Sequence, residues 1–232
     1  MHNDASTEQY DDTQFIIYPA VLTESIPEAQ SQVMAIASVP KIRTVQIDII
    51  DGQYVDNVTI TPSDLPEIDF AEMSCDLHLM TEEPLDFLHE AIALRESIPV
   101  RAVIGQIERM SHQRDFLLSV KEQNWVPGLS LDLYTPIEEI DEDVWDTVDI
   151  VQLMGVQAGF QGQDFNKMVL EKIKELRAVA QQHSRPIEII TDGGVSLELV
   201  EKLRRAGANS AVVGSDIWDQ EDVLFAVSQF LD

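Results

Sequence analysis

Thr44-Val45-Gln46-Ile47-Asp48-Ile49-Ile50 runs straight into Asp51-Gly52. A short run rich in Val and Ile, closed by a turn pair, reads as a buried β-strand. Side chains alternate across a strand, so Gln46, Asp48 and Ile50 share one face and Val45, Ile47 and Ile49 the other. The next such run, Met73–Leu79, repeats the arrangement. Ser74, Asp76 and His78, with Met80 just beyond, oppose Cys75, Leu77 and Leu79. The apolar sets suit contact with helices outside a sheet. The polar sets need a shared interior, because a buried charge without a partner is expensive. In a barrel they point into the mouth.

Reading outward gives six more strands: Phe15–Val21, Val100–Gln106, Gly128–Leu133, Ile150–Val156, Ile187–Thr191 and Ser210–Gly214. Between them lie helical patterns at Ile26–Ser38, Pro84–Leu94, Gln113–Gln123, Asn166–Gln182, Ser196–Ala206 and Glu221–Leu231. Asn166–Gln182 is the clearest, with Val169, Ile173, Leu176 and Ala180 on one stripe. The connections after the second and fifth strands carry weak or short helical signals. Strands alternating with helices predict a parallel sheet. About 218 residues follow residue 14, or about 27 per unit, compact for a (β/α)8 barrel but sufficient. The expected organisation is an acidic tail over residues 1–14 and one (β/α)8 TIM barrel of eight parallel strands over 15–232. A doubly wound open sheet is the alternative. Against it, the first strand-to-helix turn lacks a glycine-rich dinucleotide fingerprint.

Composition narrows the partners. The 15 Lys+Arg against 42 Asp+Glu give a formal charge of −27. Nucleic acid and anionic membrane surfaces both require a basic footprint, so neither is an expected partner. The acidic excess reads as a solvated surface or, with lysine scarce, as adaptation to high salt. No apolar run approaches a membrane span, and the N-terminus lacks a basic start and apolar stretch. A single cysteine excludes an internal disulfide and a cysteine zinc cluster. A reducing, cytoplasmic setting is the default.

The seventh strand leads into Asp192-Gly193-Gly194, and chemistry sits at strand C-termini in a barrel. Asp48, His78 and Asp192, with Gln46 nearby, are therefore candidates to converge. Two carboxylates and an imidazole form a divalent-metal set. Equally, Asp48 and His78 form a hydrogen-bonded pair while Asp192 caps a helix. Glycines cluster after the last three strands, at Gly155, Gly159 and Gly162, at Gly193-Gly194, and at Gly214-Ser215. Such loops cradle phosphates through backbone N–H groups. No lysine ends a predicted strand, so Schiff-base chemistry is not expected. GxSxG and HExxH are absent.

At these residues the chain resembles the ribulose-phosphate 3-epimerase family, in register over nearly all of the sequence after the tail. The matching segments are Val45–Thr59, Asp76–Met80, Tyr134-Thr135-Pro136, Leu153–Phe165, Thr191–Val195, and Ala206-Gly207-Ala208 leading to Val213-Gly214-Ser215. The resemblance implies the same barrel. It also implies one divalent metal ion (Zn, Mn, Fe or Mg), held by two histidines and two aspartates. Asp48, His78 and Asp192 match three of those ligands, and Gln46 stands at the fourth, normally histidine. The implied reaction inverts C3 of a ketopentose 5-phosphate, interconverting D-ribulose 5-phosphate and D-xylulose 5-phosphate. Asp48 and Asp192 move the proton, and the metal stabilises the enediolate. Met80 and Met154 match methionines that pack over the reacting centre, although ordinary core methionines fit as well. Gly159, Gly162, Gly193, Gly194, Gly214 and Ser215 become the substrate- and phosphate-binding set. The family often forms dimers or larger assemblies, so homo-oligomerisation is raised by analogy.

The chain departs from the family pattern at several places. An amide oxygen at Gln46 is a weaker and harder ligand than imidazole, shifting preference towards Mg²⁺ or Mn²⁺. Ala20 replaces a serine that contacts substrate, Gln106 a histidine and Asp132 an asparagine. Ala158 and Gln161 interrupt the loop after the sixth strand. Asp216 follows Gly214-Ser215, where its charge either opposes a phosphate or, as a helix N-terminal acid, points away. Three functions stay open: a pentose-phosphate epimerase, a non-catalytic or regulatory descendant, and an epimerase of another ketose.

Overall fold

The computed structural model describes residues 15–160 and 162–231. The acidic segment 1–14 and Gln161 lie outside the described residues. Eight strands close into a barrel in sequence order, every neighbouring pair parallel. They are β1 (Ile16–Val21), β2 (Thr44–Ile50), β3 (Ser74–Met80), β4 (Val100–Gln106), β5 (Val126–Leu131), β6 (Ile150–Met154), β7 (Glu188–Asp192) and β8 (Ser210–Val213). Helices α1 (Ile26–Ala37), α2 (Pro84–Ala93), α3 (Gln113–Glu122), α4 (Val169–Gln182), α5 (Leu197–Ala206), α6 (Ser215–Trp218) and α7 (Val223–Leu231) connect or follow them. This is the (β/α)8 TIM barrel.

The two weak connections contain no α-helix. A 3₁₀ segment at Pro62–Glu67, with Pro66 inside it, follows β2. Two three-residue 3₁₀ turns, Ile137–Glu139 and Glu142–Val144, follow β5. Among the strands the largest shift is in β5, which begins at Val126 rather than Gly128 and stops at Leu131 rather than Leu133. Pro127 reads as a strand breaker, yet near the start of a strand its missing N–H costs little. Helix α4 starts at Val169, three residues late, because Asn166 Oδ1 accepts from Met168 N at 3.1 Å and turns the chain first.

Alternation sorts the side chains as the strand pattern requires. Val45, Ile47, Ile49, Cys75, Leu77 and Leu79 pack outward into the main core with α1, α2 and their neighbours. Cys75 is fully buried there, and burial pushes its thiol pKa well up. Inside the barrel, Tyr18, Ala20, Ala102, Ile104, Ile150, Ile190 and Val212 form a separate apolar layer.

Near the strand N-termini the interior holds a charged plug. Arg101 Nε donates to Asp76 Oδ1 at 2.8 Å, and the same guanidinium also pairs with Asp76 Oδ2. It lies 3.8 Å from Glu188 Oε2 and stacks over the Tyr18 ring at 4.9 Å. Tyr18 Oη and Ser210 Oγ donate to Glu188 Oε1 at 2.9 and 2.6 Å. Burial pushes the Asp76 carboxyl pKa up, and Arg101 pulls it back. The bottom face of such a barrel serves stability.

Candidate active site

The opposite end of the same strands carries the candidate chemistry. β2 presents Gln46 and Asp48, and β3 places His78 opposite Asp48 in register. β6 and β7 place Met154 opposite Asp192. Closure of the barrel then brings β2, β3 and β7 around one point. Asp48, His78 and Asp192 are all buried, and their ligand atoms lie within 4.8 Å of one another.

His78 Nδ1 sits 3.2 Å from Asp48 Oδ1 and 3.3 Å from Asp192 Oδ2. Gln46 Nε2 donates to both carboxylates, at 2.8 Å to Asp48 Oδ1 and 2.7 Å to Asp192 Oδ2. Thus Asp48 and His78 do pair, but Asp192 joins them, and the N-cap of α5 is Ser196. Gln46 stands in the cluster with its nitrogen, not its oxygen, towards the carboxylates. To ligate a cation its amide must turn over. Burial opposes a charged imidazole, but the hydrogen bonds to Asp192 and Asp48 win and push the His78 pKa up to about 9. Burial also pushes the Asp48 pKa up, partly offset by His78. Two buried carboxylates facing one point repel each other unless a proton, a hydrogen-bond donor or a cation lies between them. The donor set therefore fits a divalent cation.

Above the cluster opens a cleft. Asp48, Asp192, Ala20, Met80, Met154, Gly159, Gly162, Gly193, Gly194, Gly214 and Ser215 all line it. Gln46 and His78 back the carboxylates without lining the cleft. Gly194 has φ +67°, and a Cβ there would come within 2.7 Å of Phe165 N. That backbone packs closely because the position is glycine.

The loop after β6 roofs the cleft and is held from two sides. Asn57 Nδ2 donates to Gly159 O at 2.7 Å. Asp132 Oδ1 accepts from Ala158 N at 3.2 Å and from Leu133 N at 2.8 Å, so a carboxylate serves there as acceptor. Gln106 lies 3.4 Å from His78 Nε2. Asp216 turns away: its Oδ2 accepts from Leu197 N at 3.4 Å, at the start of α5, and it does not line the cleft.

One residue of the cluster escapes the sequence reading. Gln152 on β6 donates through Nε2 to Asp192 Oδ2 at 2.8 Å and lies 3.1 Å from His78 Nδ1. Within Ile150–Val156 it is a single polar residue in an apolar run. Its only signal is that it shares a face with Met154 two residues on.

A sequence profile of the ribulose-phosphate 3 epimerase family matches residues 16–218. The chain belongs to this family. The ribulose-phosphate 3-epimerase of Bacillus subtilis (strain 168) is 36% identical over 188 residues, covering 80% of this chain and 84% of that protein. The ribulose-phosphate 3-epimerase of Escherichia coli (strain K12) is 30% identical over 212 residues, covering 90% and 91%. Among solved structures, a tryptophan synthase α-subunit mutant from Pyrococcus furiosus superposes with a TM-score of 0.62 at 18% identity, covering 92% of this chain and 95% of that one. Phosphoribosyl anthranilate isomerase from Thermus thermophilus gives 0.57 at 11% identity, covering 94% and 96%. These two likenesses establish the fold alone. As an epimerase-family member with a buried Asp–His–Asp group, the chain has the donors to hold a metal ion. Among the described residues no helix is long and apolar enough to cross a membrane.

Proposed function

We propose that this chain epimerises C3 of a ketopentose 5-phosphate, interconverting D-ribulose 5-phosphate and D-xylulose 5-phosphate. The observation that carries the reading is the pair Asp48 and Asp192. They come from β2 and β7, converge below one cleft, and expose their carboxyls to it. Inversion needs one group to take the C3 proton from one face and another to return a proton to the other face. Asp48 and Asp192 hold those positions. Asp48, His78, Asp192 and Gln46 would hold the divalent ion, which when bound supplies electrostatic stabilisation of the enediolate, an effect worth several kcal/mol. Met80 and Met154 wall the reacting end and exclude water.

The glycine loops at Gly193-Gly194 and Gly214-Ser215 supply backbone N–H groups for the phosphate, as barrels commonly do after strands seven and eight. Asp216, engaged with the start of α5, leaves that cradle free of its charge. This supports a phosphorylated substrate over a plain ketose. One observation favours a non-catalytic descendant instead: Gln46 Nε2 already satisfies both carboxylates without a cation.

Ribulose 5-phosphate in D₂O with Mn²⁺, Zn²⁺ or Mg²⁺ separates the two. Deuterium at C3 by NMR, together with xylulose 5-phosphate, is the expected result. A folded protein that exchanges nothing with any of these ions refutes the epimerase reading.

A further inference from the structure

Five polar atoms crowd one point at the top of the barrel: Asp48 Oδ1, Asp192 Oδ2, His78 Nδ1 and the amide nitrogens of Gln46 and Gln152. Their contacts run from 2.7 Å (Gln46 Nε2 to Asp192 Oδ2) to 3.4 Å (Gln46 Nε2 to His78 Nδ1). Ligands at about 2.1 Å in octahedral geometry stand about 3.0 Å from their neighbours, the same spacing.

The hydrogen bonding at Gln152 does not close. Its Nε2 donates to Asp192 Oδ2 but also faces His78 Nδ1 at 3.1 Å. That same ring nitrogen must carry the proton shared with the carboxylates at 3.2 and 3.3 Å, so donor meets donor. Meanwhile Gln152 Oε1 is buried with no partner, a costly omission for an amide oxygen. Turning the amide over mends the contact with His78 but sets oxygen against the Asp192 carboxylate. Neither orientation satisfies the residue. A cation at the shared point satisfies it, with both glutamine oxygens turned inwards.

We infer that Gln152 is a fifth donor to the divalent ion, making an oxygen-rich site of two carboxylates, two amide oxygens and one imidazole. Such a set selects a hard ion of the Mn²⁺ or Mg²⁺ type over Zn²⁺, which is content with four ligands and favours nitrogen and sulfur. The inference rests on the cation-holding part of the function proposed above.

Mn²⁺ and Zn²⁺ affinities, measured by calorimetry on the full chain, test it with two variants whose folding is checked by circular dichroism. Gln152→Leu is expected to weaken Mn²⁺ by roughly 10- to 100-fold, with Zn²⁺ changed far less. Gln152→Glu is expected to tighten Mn²⁺ and enlarge the Mn²⁺-induced rise in Tm, because it offers the ion a carboxylate. Equal losses for both ions in the leucine variant make Gln152 a support behind the site and overturn the assignment. So does an unchanged Mn²⁺ affinity in either variant, or a parent chain that binds no Mn²⁺. Deuterium exchange in the same samples keeps the two readings apart. Exchange with a Mn²⁺/Zn²⁺ ratio indifferent to Gln152 sinks this inference and leaves the epimerase. A Gln152-dependent ratio without exchange does the reverse.

Discussion

Arg101→Met removes the one cation of the plug at the bottom of the barrel while keeping most of the apolar stem. Asp76 and Glu188 are then left buried; among the described residues Tyr18 and Ser210 still donate to Glu188, and no side chain donates to Asp76. Stranding a buried charge by removing its partner costs about 3–5 kcal/mol. The Arg101 side chain is 25% exposed, so solvent screening trims this only modestly. In a barrel of this size the loss lowers Tm by roughly 6–20 °C.

The pH dependence has a definite sign. A carboxyl whose folded pKa is raised by burial destabilises the fold above that pKa, and the penalty fades as pH falls through it. Asp76 is already raised with Arg101 present and rises further without it. The gap between variant and parent is therefore widest near neutral pH and shrinks towards about pH 5. Guanidinium denaturation followed by tryptophan fluorescence, run on both proteins at both pH values, reads the gap directly. A loss below about 1 kcal/mol, or one of equal size at the two pH values, refutes the reasoning. Because β3 and β7 carry His78 and Asp192 two and four residues beyond Asp76 and Glu188, the variant should also bind Mn²⁺ less tightly.

Three further outcomes are expected. Asp192→Asn abolishes deuterium incorporation at C3 in a folded protein, and a retained rate by NMR would end the two-carboxylate mechanism. Gly194→Ala forces a side chain onto φ +67° and against Phe165 N; it should cost about 1–3 kcal/mol of stability and raise KM for the phosphorylated substrate, checked by denaturation and steady-state kinetics. Ion uptake must displace the proton from His78, whose pKa is pushed up to about 9, so affinity rises with pH about tenfold per unit from pH 7 and levels off near 9. Calorimetry in buffers of different ionisation enthalpy should count close to one proton released per ion, and a count near zero would remove His78 from the ligand set.

Alternation along β2 and β3 was enough to place Asp48 and His78 on one inward face, and parallel pairing puts them opposite each other. Asp192 was legible because it ends a strand beside two glycines. Gln152 was not, since one amide in Ile150–Met154 differs little from an apolar neighbour, and its partners lie on β3 and β7. The plug was hidden for the same reason. Asp76 shares the face of His78, but only the register with β4 and the closure of the barrel decide that it meets Arg101 rather than the metal cluster. Asp216 was equally undecided in the sequence, because only the packing of α5 beside it sets which way its carboxylate turns.

Cys75 gives the molecule a clock of its own. Its thiol is sealed between sheet and helices and held in the unreactive protonated form by burial. An alkylating reagent therefore reaches it only when the barrel transiently opens. The rate of labelling times those openings, so tighter closure on a bound ion or sugar phosphate will show as slower alkylation, with no residue substituted.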